Sequence, residues 1–365
     1  MAHVQLDGWL KLLADRNGSD LHVKVGSPPR MRVNGELLKL SDQPTVSPSD
    51  AEEMALSVMR PELAESFGRT NEADCAYSVP GLGRFRVNVF RQRGSVGMVL
   101  RRVLTHAPSF DELGLPEVVA RLASEQRGMV LVTGPTGSGK TTTLAAMIDF
   151  INRHRECHIV TIEDPVEVLH RDDLACINQR EIGFDTDDFK SAMRAAMRQD
   201  PDVILVGEMR DPETVAAALS AAETGHLVLS TLHTVDAKET ISRIVDFFPP
   251  YQQNQVRVAL AGSLKGTICQ RLVPSVDGLS RVAALEVMVT NGRIQQAIVD
   301  PASPIDITEL ISDGQYYGMQ TFDQALAGLF EAGRIDLRGA LVAASNPHDL
   351  KVLLQQKGLV SSGLR

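Results

Sequence analysis

The rhythm of apolar positions changes once along the chain. Over the first hundred residues, DLHVKV (20–25), RMRV (30–33) and GELLKL (35–40) read as short strands parted by GSPP and NG turns. An amphipathic helix pattern occupies the N-terminal stretch MAHVQLDGWLKLLADRNGSD. A second helix runs through AEEMALSVM, where Ser49 offers an N-cap and acidic residues fill the first turn. DCAYSV, RFRVNVF and VGMVLRRV supply three further strands, which makes an α+β module with an antiparallel sheet.

After residue 117 the apolar runs become continuous. MVLVTG (129–134), HIVTIE (158–163), VILVGE (203–208) and HLVLST (226–231) no longer alternate, and helical patterns such as TTLAAMIDFINR and Asp188 to Arg198 separate them. Continuous apolar strands between helices predict a parallel sheet covered on both faces. Between the two rhythms, LTHAPSFDELGLP (104–116) carries two prolines and reads as a linker. The expected division is therefore 1–103, a linker over 104–116, and 117–365, with short helices from about Thr290 onward. A length of 365 residues suits about two domains.

Composition narrows this only slightly. Hydrophobic content of 43% and charged content of 23% are ordinary for a globular protein. No stretch approaches the roughly 18 consecutive apolar residues of a membrane span, and the N-terminus does not read as a signal peptide. Cys75, Cys157, Cys176 and Cys269 are scattered, which argues against a zinc ribbon or a disulfide framework and for a reducing cytosol. The net charge of −9 is uneven: residues 1–103 carry +2, which leaves −11 on the remainder. Within the first part, RFRVNVFRQRGSVGMVLRR (84–102) holds six arginines and no acid, a local anion-seeking surface. The acidic total does not suggest bulk nucleic-acid binding.

GPTGSGKT (134–141) matches G-x-x-x-x-G-K-[ST], follows a strand and opens a helix, as a phosphate-binding loop must. The expected cradle is Gly134, Pro135, Thr136, Gly137, Ser138, Gly139, Lys140, Thr141 and Thr142. Glycines let the backbone curl so that successive N–H groups face phosphate oxygens, and the helix N-terminus adds positive potential. Lys140 would reach the β- and γ-phosphates of ATP, and Thr141 would place its hydroxyl on Mg²⁺.

Parallel sheets of this kind bind ligands at the carboxyl ends of their strands. Those ends carry Glu163, Glu208 and, two residues past Thr231, His233. Glu208 suits a metal-holding acid, directly or through water, and Glu163 suits a base orienting the attacking water; the two roles could be exchanged. His226 and His233 would lie about 23 Å apart on a straight strand, at roughly 3.3 Å per residue, and on opposite faces. They cannot share a metal. His233 is expected as a neutral donor sensing the γ-phosphate, and His226 as a site residue or the owner of a core or interface hydrogen bond.

In RFRVN, Arg84 and Arg86 share one strand face, and Arg101 follows VGMVL. Three readings fit: a solvated basic strand pair, arginine fingers for a γ-phosphate, or a single-strand nucleic-acid groove. For the last, only Phe85 and Phe90 are available for stacking.

GPTGSGKTTTLAAMIDFIN, IVTIEDPVEVLH, MRQDPDVILVGEMRDPETV and TGHLVLSTLHTVDAKETISRIVDFFP resemble the Walker A loop, Asp box, Walker B segment and His box of the motor ATPases of type IV pili and type II secretion, most of all the PilT-type retraction ATPases. SDLHVKVGSPPRMRVNGEL and GRFRVNVF resemble that family's PAS-like N-domain, so the similarity spans roughly residues 5–290, with GMQTFDQAL a further match. The resemblance implies an α/β fold in which a PAS-like α+β N-terminal domain precedes a RecA-like P-loop NTPase domain. It also implies a homo-hexameric, cytoplasmic ATPase, peripheral at the inner membrane, that uses ATP and Mg²⁺ against a pilus platform protein to retract pili in twitching motility. Glu163, Glu208 and His233 match the family's site residues, His226 is the other box histidine, and Arg86 (RVN) and Arg101 (VLR) match its N-domain arginines. Extension and secretion ATPases carry a longer N-terminal region and a four-cysteine zinc insert, neither seen here. TNGRIQQAIVD, however, departs from the Ala-Ile-Arg-Asn-Leu-Ile helix of retraction ATPases. Pilus extension, type II secretion and, in another class, RecA-like nucleic-acid translocation are the alternatives; the charge balance disfavours the last.

Overall fold

In the computed structural model, which describes residues 2–33, 35–302 and 306–361, the alternating segments of the N-terminal part pair edge to edge. Met1, Asn34 of the expected NG turn, and residues 303–305 and 362–365 of the expected helical tail lie outside the described residues. The chain divides into two units: Met1–His106 with Glu167–Leu169, and Ala107–Val166 with His170–Arg365.

The first unit runs α1 (Ala2–Asp15), β1 (Asp20–Lys24), β2 (Arg30–Val33), β3 (Glu36–Lys39), α2 (Pro48–Val58), α3 (Pro61–Thr70), β4 (Glu72–Val79), β5 (Gly83–Gln92) and β6 (Ser95–Arg102). All pairings are antiparallel, in the order β3-β2-β1-β6-β5-β4. Period-two alternation puts Leu21, Val23, Phe85, Val87, Met98 and Leu100 on one face, where they pack with Leu6, Trp9, Leu10 and Leu13 of α1. Burying a leucine or phenylalanine in this way stabilises the unit by about 1.5–3 kcal/mol per side chain. The N-cap of α2 is Ser47, not the expected Ser49: Pro48, lacking an N–H, takes the first helical position, and Ser47 exchanges capping-box bonds with Asp50. Helix α3 was not expected from the sequence; it opens on Pro61 and closes on Asn71 at φ +63°.

The second unit continues with α4 (Phe110–Leu113), α5 (Glu117–Ala123), β7 (Gly128–Thr133), α6 (Lys140–His154), β8 (His158–Glu163), β9 (Cys176–Glu181), α7 (Phe189–Ala196), β10 (Val203–Val206), α8 (Pro212–Glu223), β11 (Leu227–Leu232), α9 (Ala237–Asp246), α10 (Pro250–Ser263), β12 (Leu264–Pro274) and β13 (Arg281–Val289). Helices α11 (Gly292–Val299), α12 (Ile307–Ser312), α13 (Phe322–Glu331), α14 (Leu337–Ala343) and α15 (Pro347–Gln356) follow. The sheet order is β13-β12-β7-β11-β10-β8-β9, parallel throughout except for β13.

Both faces of this sheet are covered, which is why its strands read as continuous apolar runs. Val130 and Val132 meet Val119 of α5 and Leu144 and Ile148 of α6, while Met129 and Leu131 meet Ala218 of α8 and Leu260 of α10. Three strands escaped the sequence reading. β9 is a polar edge strand, and β12 and β13 form a hairpin that extends the opposite edge. The divergent stretch TNGRIQQAIVD forms α11, capped by Asn291 and burying Ile294, Ala297 and Ile298.

Candidate functional site

Because β11 lies between β7 and β10, the carboxyl edge of the sheet presents, in spatial order, the glycine-rich loop, His233, Glu208 and Glu163. The loop turns through three left-handed glycines, Gly134 (φ +142°), Gly137 (φ +79°) and Gly139 (φ +90°), a conformation costly to residues with a Cβ. A Cβ on Gly134 would stand 2.4 Å from the Gln270 carbonyl oxygen, and one on Gly139 would stand 2.7 Å from Gln270 Nε2. Gln270, on β12, thus supports the loop from beneath, and its Oε1 accepts the Thr143 hydroxyl at 2.8 Å.

The cradle fits phosphate groups on its own geometry. No side chain caps the start of α6 at Gly139, so the first-turn N–H groups keep their donors for a ligand. Ser138 Oγ is buried without a hydrogen-bond partner. Gly137 has open space where a Cβ would be, and Pro135, Thr136 and Thr141 are exposed at the mouth, with Thr142 half-buried behind them.

Lys140 is buried and donates from Nζ to the carbonyls of Gly134 (2.8 Å) and Pro135 (3.2 Å). The same ammonium lies 3.4 Å from His233 Nδ1. An ammonium only donates, so His233 Nδ1 accepts and its proton resides on Nε2. That nitrogen lies 3.1 Å from Glu208 Oε1, and Arg210 Nη2 lies 2.7 Å from Glu208 Oε2. Burial pushes the Glu208 carboxyl up, but the hydrogen bonds from Arg210 and His233 and the Arg210 charge outweigh it and hold the group below its ordinary value. Glu163 is buried; its Oε1 accepts from Thr161 Oγ1 at 2.6 Å and Gln179 Nε2 at 3.1 Å. A cavity of about 360 Å³ opens beside His233, lined in part by Arg210, Arg243 and Phe247.

The structure thus brings together the loop, Glu163, Glu208 and His233. It does not bring His226 to them within the chain. That residue is half-buried at the amino end of β11, where its Nδ1 lies 2.9 Å from the Ala221 carbonyl oxygen. Arg86 and Arg101 face each other across β5 and β6 on the exposed side of the first unit's sheet. Gln270, Thr143, Thr161, Gln179 and Arg210 join the site without having been singled out. Thr161 had a readable signal, since it shares a strand face with Glu163 two residues on. Gln270 and Gln179 were hidden with their unrecognised strands.

Comparison with known proteins agrees with this geometry. The type II/IV secretion system protein family matches residues 84–311. The chain is 41% identical over 352 residues to the type IV pilus ATPase PilU of Pseudomonas aeruginosa, covering 96% of this chain and 92% of that one. It is 42% identical over 340 residues to the type IV pilus retraction ATPase PilT of the same organism, covering 93% and 98%. The crystal structure of a pilus retraction motor, PilT with bound ADP, superposes with a TM-score of 0.87 at 45% identity, covering 94% of this chain and 98% of that one. With a RecA-like parallel sheet, an antiparallel N-terminal domain and a family match over most of its length, the chain belongs to the type II/IV secretion system protein family.

Proposed function

We propose that the protein is a motor ATPase whose hydrolysis of ATP drives type IV pilus retraction, working as a ring of six copies in the cytoplasm against a platform protein of the inner membrane. The observation that carries the ATPase reading is the chain Lys140–His233–Glu208 beside Glu163, all at one edge of a parallel sheet. The retraction reading is supported by likeness over nearly the whole chain to PilT. The domain division adopted is a PAS-like part to residue 103, a linker over 104–116, and the ATPase part beyond.

The residues divide the work by their surroundings. The loop and Lys140 hold the phosphates. The Thr141 hydroxyl and Glu208, directly or through water, would hold Mg²⁺, which would supply neutralisation of charge on the phosphate oxygens. Glu208, held ionised by Arg210 and His233, is a poor proton acceptor and a good metal-side carboxylate. Glu163, which accepts from the Thr161 hydroxyl and the Gln179 amide at the end of β8, is assigned as the base that orients the attacking water. Arg86 and Arg101 act as fingers that stabilise charge on the transferred phosphoryl group. His233 reports the γ-phosphate, since a lysine drawn onto phosphate leaves its Nδ1.

Deletion of the gene in its source organism tests the proposal. Pili retained or in excess without twitching support retraction; absent pili indicate extension; a strain that shows neither phenotype overturns a pilus role. ATPase activity stimulated by DNA would move the protein to the translocase class.

A further inference from the structure

The two arginines assigned as fingers are not equally free. Asp20 stands directly opposite Arg101 on β1 and β6, and opposite Arg32 on β2, so the three side chains form one row across the exposed face of the sheet. Arg86 on β5 extends that row. Asp20 is only 4% exposed, whereas the Arg101 side chain is 67% exposed. The Asp20 carboxylate accepts Arg101 Nε at 2.7 Å through Oδ1 and Ser19 Oγ at 2.8 Å through Oδ2. Arg32 Nε lies 3.9 Å from Oδ2, and Arg32 is itself anchored by donating from Nη1 to the Gly35 carbonyl at 2.7 Å.

We propose that Asp20 is a positioning residue: it grips Arg101 by Nε and thereby leaves the two terminal nitrogens, the fork that binds phosphate, facing outward. This rests on the finger reading of Arg101. The choice of atom matters. A carboxylate that took the Nη pair bidentately would consume the same fork that phosphate needs. Taking Nε instead fixes the direction of a long, flexible side chain and spends only its inner donor.

Two further observations agree. Burial pushes the Asp20 carboxyl up, but the hydrogen bonds from Arg101 and Ser19 outweigh it and keep the group ionised. Arg86 and Arg101 are direct cross-strand neighbours, an unfavourable like-charge pair. With Asp20 on the far side of Arg101, an arriving anion finds two guanidinium groups side by side, one of them already aimed.

The test is a double-mutant cycle on the full-length assembly, reading kcat and KM for ATP with melting curves to confirm folding. Asp20→Ala should lower kcat by about 10²-fold, the scale of misplacing a catalytic group by an ångström. It should leave KM within a few-fold. Asp20→Asn, which keeps one acceptor and the shape, should give a smaller loss and carries the test if Asp20→Ala does not fold. In an Arg101→Ala background neither substitution should lower kcat further. A folded Asp20→Ala protein with wild-type kcat beside a slow Arg101→Ala overturns the inference alone, as does an equal loss with and without the Arg101 side chain. A wild-type kcat in Arg101→Ala overturns the finger reading itself.

Discussion

Lys140 and Glu208 are joined through one imidazole: His233 lies 3.4 Å from the lysine ammonium at Nδ1 and 3.1 Å from the glutamate oxygen at Nε2. The residue proposed to bind phosphate and the residue proposed to hold metal are therefore separated by a single ring. His233→Ala should reduce kcat by about 10²-fold, the scale of losing one fixed donor. Because the ring also helps hold the Glu208 carboxyl low, its removal should move the acidic limb of the pH–rate profile to higher pH. A variant with an unmoved acidic limb would break the link between His233 and Glu208.

Glu208 is assigned to the metal side. Glu208→Gln should raise the Mg²⁺ concentration for half-maximal hydrolysis by about 10–100-fold, as loss of a metal-orienting carboxylate does. An unchanged Mg²⁺ dependence, measured by titrating the metal at fixed ATP, would shift that role elsewhere.

Gln270 joins β12 to the underside of the phosphate loop. Gln270→Leu keeps approximate volume but leaves the Thr143 hydroxyl buried without its acceptor, a cost of about 1–3 kcal/mol. The loop loses its support at Gly139, so the dissociation constant for ADP should rise about tenfold or more, read by fluorescence titration. Unaltered affinity would make Gln270 a core residue only.

How much of this was legible depended on the kind of signal. The loop, Glu163, Glu208 and His233 could be read because each closes a continuous apolar run whose carboxyl end the parallel sheet brings to one edge. Gln270 could not, because CQRL in β12 has neither an unbroken apolar run nor a following helix. β9 was lost for a similar reason: CINQRE is a polar edge strand, and only its pairing with β8 brings Gln179 to Glu163. Asp20 was visible only as a strand residue until register set it beside Arg101, 81 positions later. Ser47 displaced Ser49 as the α2 cap because Pro48 decides where the helix can start.

Glu286, on β13, is a buried carboxyl that accepts the Ala237 N–H at 2.9 Å where α9 begins. Burial pushes it up from 4.5 to about 7, with Asp236 adding to the rise and the Ala237 hydrogen bond and Arg271 opposing it. The folded protein holds this proton more tightly than the unfolded chain. Its contribution to stability is therefore full below about pH 4.5 and is lost as pH rises through about 7. Glu286→Gln removes that loss. Its melting temperature should match the wild type near pH 5 and exceed it at pH 8, by up to about 3 kcal/mol in stability. Parallel pH dependences in the two proteins would contradict the account.

The central claim is that this edge of the sheet hydrolyses ATP with Glu163 as its base. The measurement is ATP binding and Mg²⁺-dependent phosphate release on the same samples of wild type and Glu163→Gln, with Lys140→Ala as the variant expected to lose nucleotide binding or turnover. The account predicts that Glu163→Gln binds ATP within a few-fold of wild type but loses turnover by about 10² or more, the scale of a general base. Hydrolysis by Glu163→Gln at the wild-type rate would contradict it.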